Sequence, residues 1–241
     1  MGSKIRIATP IVAILNSYIK CYKIKQYIEP FVGGANIVDK IVAEKRYASD
    51  SHPYLIALYQ HLDRLDKLPE EMTYEIYDKV RKDYREQNGV YEDWYIGAIG
   101  FLASYVGRFF EGGYSGLSDD SSCRDYYKES LRFIKNQVKD LTDVEFRCHD
   151  YRALGAEIES SLIYCDPPYK DTKEYENAKA FDYECFWEWV REMSKKNIVI
   201  VSETVAPDDF NCIWERKIQR NVGGNNKYRV EKLFIHRSLD E

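Results

Sequence analysis

Residues 161–170, Ser-Leu-Ile-Tyr-Cys-Asp-Pro-Pro-Tyr-Lys, run an apolar strand straight into two prolines. Proline lacks the N–H that a central ladder needs, so strand pairing must stop at Asp166. The same prolines fix their own φ and bias Asp166 toward extended backbone. The Asp166 carboxylate and the Pro167 carbonyl can then face one side of the chain, and no proline N–H competes for them. Tyr169 adds an aromatic face. Two acceptors beside an aromatic plate suit a planar ring that carries an exocyclic amino group. A plain strand end explains the prolines, but not the acid and the aromatic that flank them.

Strands and helices alternate at both ends of the chain, the pattern of an α/β fold with a mostly parallel sheet. Residues 26–34 read as a first strand entering a tight loop, and 36–44 carry helical spacing with Asn36 as an N-cap. A second strand, 45–50, ends on Asp50, and an amphipathic helix follows at 53–65. Further strands read at 144–150, 161–166 and 197–203. A helix over 183–196 carries Trp187 and Trp189, which read as packing rather than as stacking platforms. Residues 212–237 alternate around a Gly/Asn loop, a β-hairpin signature. Residues 70–140 show helical patterns without strands, over 74–87, 91–110 and 123–141. The expectation is a sheet domain in two pieces, 1–69 and 141–241, interrupted by a helical insertion at 70–140. The run GFLASYVGRFF within it reads as core.

Charge points in two directions. The net charge of −5 disfavours a polyanionic partner. Yet residues 1–28 hold five Lys or Arg and no acid, and residues 211–237 hold seven against two Glu. Such ends either fold into one basic face or stay separately solvated. No run approaches the ~20 apolar residues of a membrane span. The N-terminus lacks a signal-peptide core, so a cytoplasmic chain is expected. The six cysteines are scattered singly, which argues against structural zinc and against a disulfide framework. Cys148 and Cys165, inside strand-like runs, are expected to be buried small hydrophobes.

In open parallel sheets, ligands lie outside the carboxyl ends of the strands. Glu29, Asp50 and Asp150 stand at such ends, with Asp166. Gly33 and Gly34 permit a sharp turn and a close backbone approach to a ligand. Asp50 is placed to take the two hydroxyls of a ribose. Loop and acid together fit an adenosine-containing cofactor, although glycine turns after strands are also common without one. The spacing departs from GxGxxG, so a mononucleoside fits better than a dinucleotide. Asp150 can accept from an adenine amino group, with Tyr151 available to pack on the ring.

These segments together resemble the Dam-type DNA adenine methyltransferases, over nearly the whole chain. DPPY at 166–169 is similar to the family's catalytic motif, and EPFVGGAN at 29–36 to its cofactor loop. MGSK at 1–4 resembles an N-terminal motif whose lysine, here Lys4, contacts the cofactor. Asp50 resembles the ribose-binding acid, and FRCHDY at 146–151 the adenine-binding segment. YKDTKEY and FDYECFWEW resemble the sequence that follows the catalytic motif in phage and prophage members. The resemblance implies a Rossmann-like methyltransferase fold, a seven-stranded sheet ending in a reversed hairpin. It implies S-adenosylmethionine as cofactor, held by Lys4, Glu29, Pro30, Phe31, Gly33, Gly34, Asp50, Asp150, Tyr151 and Asp166. Double-stranded DNA would be the partner of a monomer or weak dimer that needs no metal, and segment 70–140 its target-recognition region. Two departures stand out. The family has an aromatic residue just before the MGSK-like segment, where this chain starts at Met1, and Ala35 stands where glycine is commoner. The insertion holds ten Lys or Arg against fourteen Asp or Glu. That balance moves the expected phosphate contacts to the basic ends, with Lys227 and Arg229 at the hairpin tip, whereas Lys170 and Lys173 either touch phosphates near the flipped base or are simply solvated.

The implied reaction is direct methyl transfer to the adenine amino nitrogen, a poor nucleophile because its lone pair is delocalised into the ring. Asp166 and the Pro167 carbonyl would accept its two N–H groups and localise the lone pair. Tyr169 would stack on the base once it has flipped from the duplex. An enzyme acting on RNA or on a protein amide needs only the same planar amino group. Protein glutamine methyltransferases resemble this chain but carry Asn where Asp166 stands. A catalytically silent DNA-binding module would not need a complete Asp-Pro-Pro-Tyr, and a nicotinamide dehydrogenase would need a glycine spacing absent here.

Overall fold

The sheet is built around β1 (Gln26–Glu29), which pairs in parallel with β2 (Lys45–Asp50) on one side and β4 (Ser161–Cys165) on the other. Outside these lie β3 (Val144–Cys148) against β2 and β5 (Ile198–Glu203) against β4, both parallel. The last two strands form the expected hairpin. β7 (Asn225–His236) runs antiparallel to β5, and β6 (Phe210–Val222) closes the edge. The resulting order is β3-β2-β1-β4-β5-β7-β6, a seven-stranded, mostly parallel sheet with a reversed terminal hairpin. Strand order changes direction between β1 and β4, the place where open sheets bind ligands, and Glu29 ends β1 while Asp166 follows β4. The coordinates are a computed structural model that describes residues 4–117, 124–155, 157–168, 181–222 and 225–237.

Both faces of the central strands are apolar, as a parallel sheet covered on two sides requires. Alternate residues go to opposite layers. Leu162, Tyr164, Ile198 and Ile200 join a large cluster with α1 (Ala8–Cys21), α2 (Pro53–Gln60), α4 (Asp93–Leu102) and α5 (Tyr126–Leu141). Ile163, Cys165, Val199 and Val201 face the other way, onto Phe186, Trp187 and Val190 of α6 (Tyr183–Ser194). The second tryptophan of α6, Trp189, packs beside Phe186. Helix starts follow local capping chemistry. Thr73, Asp125 and Asp182 accept the first free N–H groups of α3 (Tyr74–Glu86), α5 and α6. No helix among the described residues is long and apolar enough to cross a membrane.

Segment 70–140 does not stand apart from the sheet. Val80, Ile99, Tyr127 and Ile134 belong to the same cluster as β1 and β4. Helix α4 lies so close to α2 that a Cβ on Gly97 would come within 2.0 Å of the Tyr54 carbonyl oxygen.

Several elements differ from expectation. The helix expected over 36–44 is only a 3-10 turn, Val38–Lys40. The helix expected at 53–65 ends at Gln60 and continues as a 3-10 stretch, Leu62–Lys67. The helical pattern running to 110 stops at Leu102, where the chain turns into a loop pinned by the Ser104 hydroxyl, which accepts from Phe110 N–H at 3.1 Å. Cys165 is buried, but Cys148 is exposed, because β3 is an edge strand.

Candidate active site

Asp166 follows β4 directly and is largely enclosed, its side chain 17% exposed. Its Oδ1 lies 3.0 Å from the ammonium of Lys4, which begins the N-terminal 3-10 turn Lys4–Arg6. The Tyr183 hydroxyl, at the start of α6, donates to the Pro168 carbonyl and so ties that helix to the proline turn. Glu29 ends β1 and is 2% exposed, with Tyr27 donating its hydroxyl to Oε2 at 2.8 Å. Burial raises the Asp166 carboxyl above its usual range, against the pull of Lys4. Burial, with the nearby Asp166 charge, pushes Glu29 well above the usual carboxyl range, against the Tyr27 hydrogen bond.

The stability consequence for Glu29 has a definite sign. A carboxyl whose folded pKa is raised stabilises the fold fully below its unfolded value, near 4.5, and loses that contribution as pH rises through the folded pKa. Glu29→Gln keeps an acceptor for Tyr27 and needs no ionisation. We expect its melting temperature to match the parent near pH 4.5 and to exceed it at pH 8. Thermal melts of both proteins across that range check this.

The loop after β1 is shaped by glycine. Gly33 has φ +45°, its N–H donates to Asp50 Oδ2 at 3.2 Å, and its carbonyl accepts from the Tyr59 hydroxyl at 2.8 Å. A Cβ on Gly34 would meet the Asn36 amide nitrogen at 2.6 Å. Ala35 holds φ +52° with a fully buried side chain, so a residue with a Cβ occupies a left-handed position that favours glycine. Asp50 Oδ1 also accepts from His52 N–H at 3.0 Å, and burial raises its carboxyl despite these two donors. Gln137 of α5 reaches the same loop, donating to Asp39 Oδ2 at 3.0 Å. The glycine turn and the acid at the end of β2 thus form one hydrogen-bonded cradle.

An aromatic wall adjoins it. Phe31 packs on Tyr151 at 5.4 Å between ring centroids and on Phe186 at 5.8 Å, and Pro30 is buried before it. Tyr151 is 5% exposed and held by Phe31, Phe181, Phe186 and Trp189, so its ring offers little free face to a purine. Asp150 caps the short turn after β3, and both its oxygens engage the Arg152 guanidinium, which holds its carboxyl low.

Tyr169, Lys170 and Lys173 lie outside the described residues, as does the side chain of Lys227. Arg229 is described, and it sits in the inner charge network rather than on an outer phosphate-facing surface. Its side chain is 14% exposed and its Nε lies 3.2 Å from Glu231 Oε1. Glu231 and Glu203 are two buried acids at this sheet edge that reading the sequence did not single out. Glu203 was detectable, because NIVIVSE ends on an acid just as KRYASD does. Its Oε1 accepts from the Thr204 N–H and hydroxyl at 2.6 and 3.0 Å, beside a cleft of about 350 Å³ lined by Tyr183, Trp187 and Ala206. Glu231 gave no such signal, lying inside a hairpin strand. No group of three or more His, Cys, Asp or Glu that could hold a metal ion occurs among the described residues.

The profile of the D12 class N6 adenine-specific DNA methyltransferases matches residues 1–106 and 108–198. The type II methyltransferase M.MjaIII of Methanocaldococcus jannaschii is 28% identical over 275 aligned positions, covering 98% of this chain and 90% of that protein. The DNA adenine methylase of Vibrio cholerae is 27% identical over 60% of this chain and 56% of its own length. A DNA N-6-adenine-methyltransferase of Escherichia phage P1 is 27% identical over 89% of this chain and 30% of its own length.

Proposed function

The chain belongs to the D12 class N6 adenine-specific DNA methyltransferases, and we propose that it methylates an adenine turned out of duplex DNA, against a floor made by Asp166 and Pro167. The observation that carries this assignment is the enclosed Asp166 carboxylate at the sheet's switch point, followed at once by two prolines. Methylation of DNA at adenine follows from the family. The residue roles below are our inference.

The residues of the cradle fit S-adenosylmethionine. Gly33 and Gly34 let backbone come close, Asp50 sets its carboxylate against the loop 3.2 Å from the Gly33 nitrogen, and buried Glu29 ends β1 just before it. When bound, this cofactor supplies a methyl group on a sulfonium, an electrophile that needs only a nucleophile in line. The chain's own part is to make the amino nitrogen such a nucleophile. Asp166 and the Pro167 carbonyl accept its two N–H groups and favour a tetrahedral nitrogen with a localised lone pair. Acceptors fixed in advance act where positive charge develops and need no reorganisation. Holding the base in one orientation contributes by proximity. Tyr169 stacks on the flipped ring, which offsets roughly 1–3 kcal/mol of the unstacking cost. After transfer the nitrogen loses one proton, which the Asp166 carboxylate, as the acceptor of one of its N–H groups, can receive. The chain would act on DNA in the cytoplasm.

The test is a methyl-transfer assay with labelled S-adenosylmethionine and duplex DNA, followed by nucleoside analysis. N6-methyladenine is the expected product. Label in RNA or in protein amides instead would overturn the substrate assignment. A second expectation concerns Asp50. Hydrogen bonds to a charged group are worth about 1.5–3 kcal/mol, so Asp50→Ala should weaken S-adenosylmethionine binding by about 10- to 100-fold. Isothermal titration measures this directly, and unchanged affinity would place the ribose elsewhere.

A further inference from the structure

Four charged side chains of alternating sign run inward from the hairpin to the catalytic floor. Arg229 Nε stands 3.2 Å from Glu231 Oε1, Glu231 Oε2 stands 3.0 Å from Lys4 Nζ, and Lys4 Nζ stands 3.0 Å from Asp166 Oδ1. All four are largely enclosed, with side-chain exposures of 14%, 8%, 7% and 17% in that order. Arg229 and Glu231 are two apart on β7 and therefore share one face of the strand. Lys4 thus has two carboxylate seats at equal distance, and only one of them belongs to the floor.

The arrangement resolves a conflict at Asp166. An enclosed carboxylate beside other acids needs a nearby cation to stay ionised. A cation hydrogen-bonded to Asp166 Oδ1 would occupy an acceptor that the substrate's amino group requires, but Lys4 donates to Glu231 Oε2 at 3.0 Å and leaves Oδ1 without a hydrogen-bond partner among the described residues. We propose that Glu231 is a positioning residue that shares Lys4 with Asp166 and holds the ammonium when the substrate amino group engages the Asp166 carboxylate. Arg229 orients Glu231 for that task. This rests on the assignment of Asp166 as the acceptor for the adenine amino group.

The groups that face Asp166 among the described residues are known element by element. Lys4 comes from the N-terminal turn, Glu29 from β1, Tyr164 and Cys165 from β4, and Glu231 and Arg229 from β7. Lys4 and Arg229 favour the charged carboxylate, whereas Glu29 and Glu231 oppose it.

The test is single-turnover methylation of duplex DNA against pH, with cofactor saturating, for the parent, Lys4→Met, Glu231→Gln and the double variant. Glu231→Gln leaves Lys4 with Asp166 alone. Its maximal rate should fall about tenfold or more, and the acid limb of its profile should move to lower pH. Lys4→Met removes the cation, so its acid limb should move to higher pH. In the Lys4→Met background, Glu231→Gln should cost no further rate, because there is no ammonium left to draw away. Glu231→Asp, which keeps the charge, should keep the parental limb. An unshifted or upward-shifted limb in Glu231→Gln, or an equal rate loss with and without Lys4, overturns the proposal. If Glu231→Gln does not fold, Arg229→Gln supplies the reading. Glu231 then binds Lys4 more strongly, and the acid limb should rise, while an unmoved limb overturns the proposal. A parent protein that yields no N6-methyladenine would instead refute the functional assignment beneath it.

Discussion

Asp166→Ala should lower single-turnover methylation by about a thousandfold or more, while S-adenosylmethionine binding stays within about tenfold of the parent. Removing one preorganised group of this kind costs about 10²–10³ in rate, and Asp166 contributes both an acceptor and a charge. The amino nitrogen would keep only the Pro167 carbonyl, and its lone pair would stay in the ring. Cofactor affinity should survive because Gly33 and Asp50 hold each other through a separate hydrogen bond of 3.2 Å. Folding should survive too. The loss of one carboxylate does not strand Lys4, whose ammonium keeps Glu231 at 3.0 Å. Asp166→Asn is the informative companion. It retains an acceptor but not the charge, so its rate should fall between those of the parent and the alanine variant. Single-turnover rates with bound cofactor, together with a titration of cofactor affinity, separate these outcomes. An alanine variant within tenfold of the parent would remove Asp166 from the chemistry.

What could be read from the chain divides along a physical line. Features coded by local chemistry were legible. Two prolines must end β4, paired glycines must turn the chain after β1, and a Gly/Asn cluster between alternating strands must make a hairpin. The acids at these ends were legible for the same reason, since Asp50 and Asp166 each close a short strand-like run. Features set by distant partners were not. The apolar spacing at 36–44 suggested a helix. Instead, Ala35 turns left-handed and Asp39 takes a hydrogen bond from Gln137, 98 residues away. The burial of Cys148 depended on whether β3 was central or at an edge, which no local pattern states. The Lys4–Glu231 contact joins residues 227 apart. It exists because the reversed hairpin places β7 beside β5, where Lys4 of the N-terminal turn reaches Glu231.

That long-range packing gives the second large effect, expected at Gly97. Alanine in the middle of an exposed helix would stabilise it by about 1 kcal/mol relative to glycine. Here the sign reverses. The added methyl on α4 would stand 2.0 Å from the Tyr54 carbonyl oxygen and 2.9 Å from its carbon. These are backbone atoms of α2 and cannot rotate aside, so the two helices must separate by more than an ångström. Overpacking of this kind costs typically about 1–3 kcal/mol, occasionally more. We expect Gly97→Ala to lose about 2–3 kcal/mol net, which for a chain of this size lowers the melting temperature by about 4–12 °C. The displacement should also reach the cofactor cradle. Helix α2 begins at Pro53, directly after His52, whose N–H donates to Asp50 at 3.0 Å. Its Tyr59 hydroxyl holds the Gly33 carbonyl at 2.8 Å. Gly97→Ala should therefore weaken S-adenosylmethionine binding although Gly97 lies in neither the loop nor the floor. Gly89→Ala is the control. It too changes a glycine of the 70–140 segment, but its Cβ would meet nothing within 4 Å. With φ +69° it should lose some stability through backbone strain alone and leave cofactor affinity unchanged. Equal cofactor affinity in both variants would show that the α2–α4 contact carries stability only.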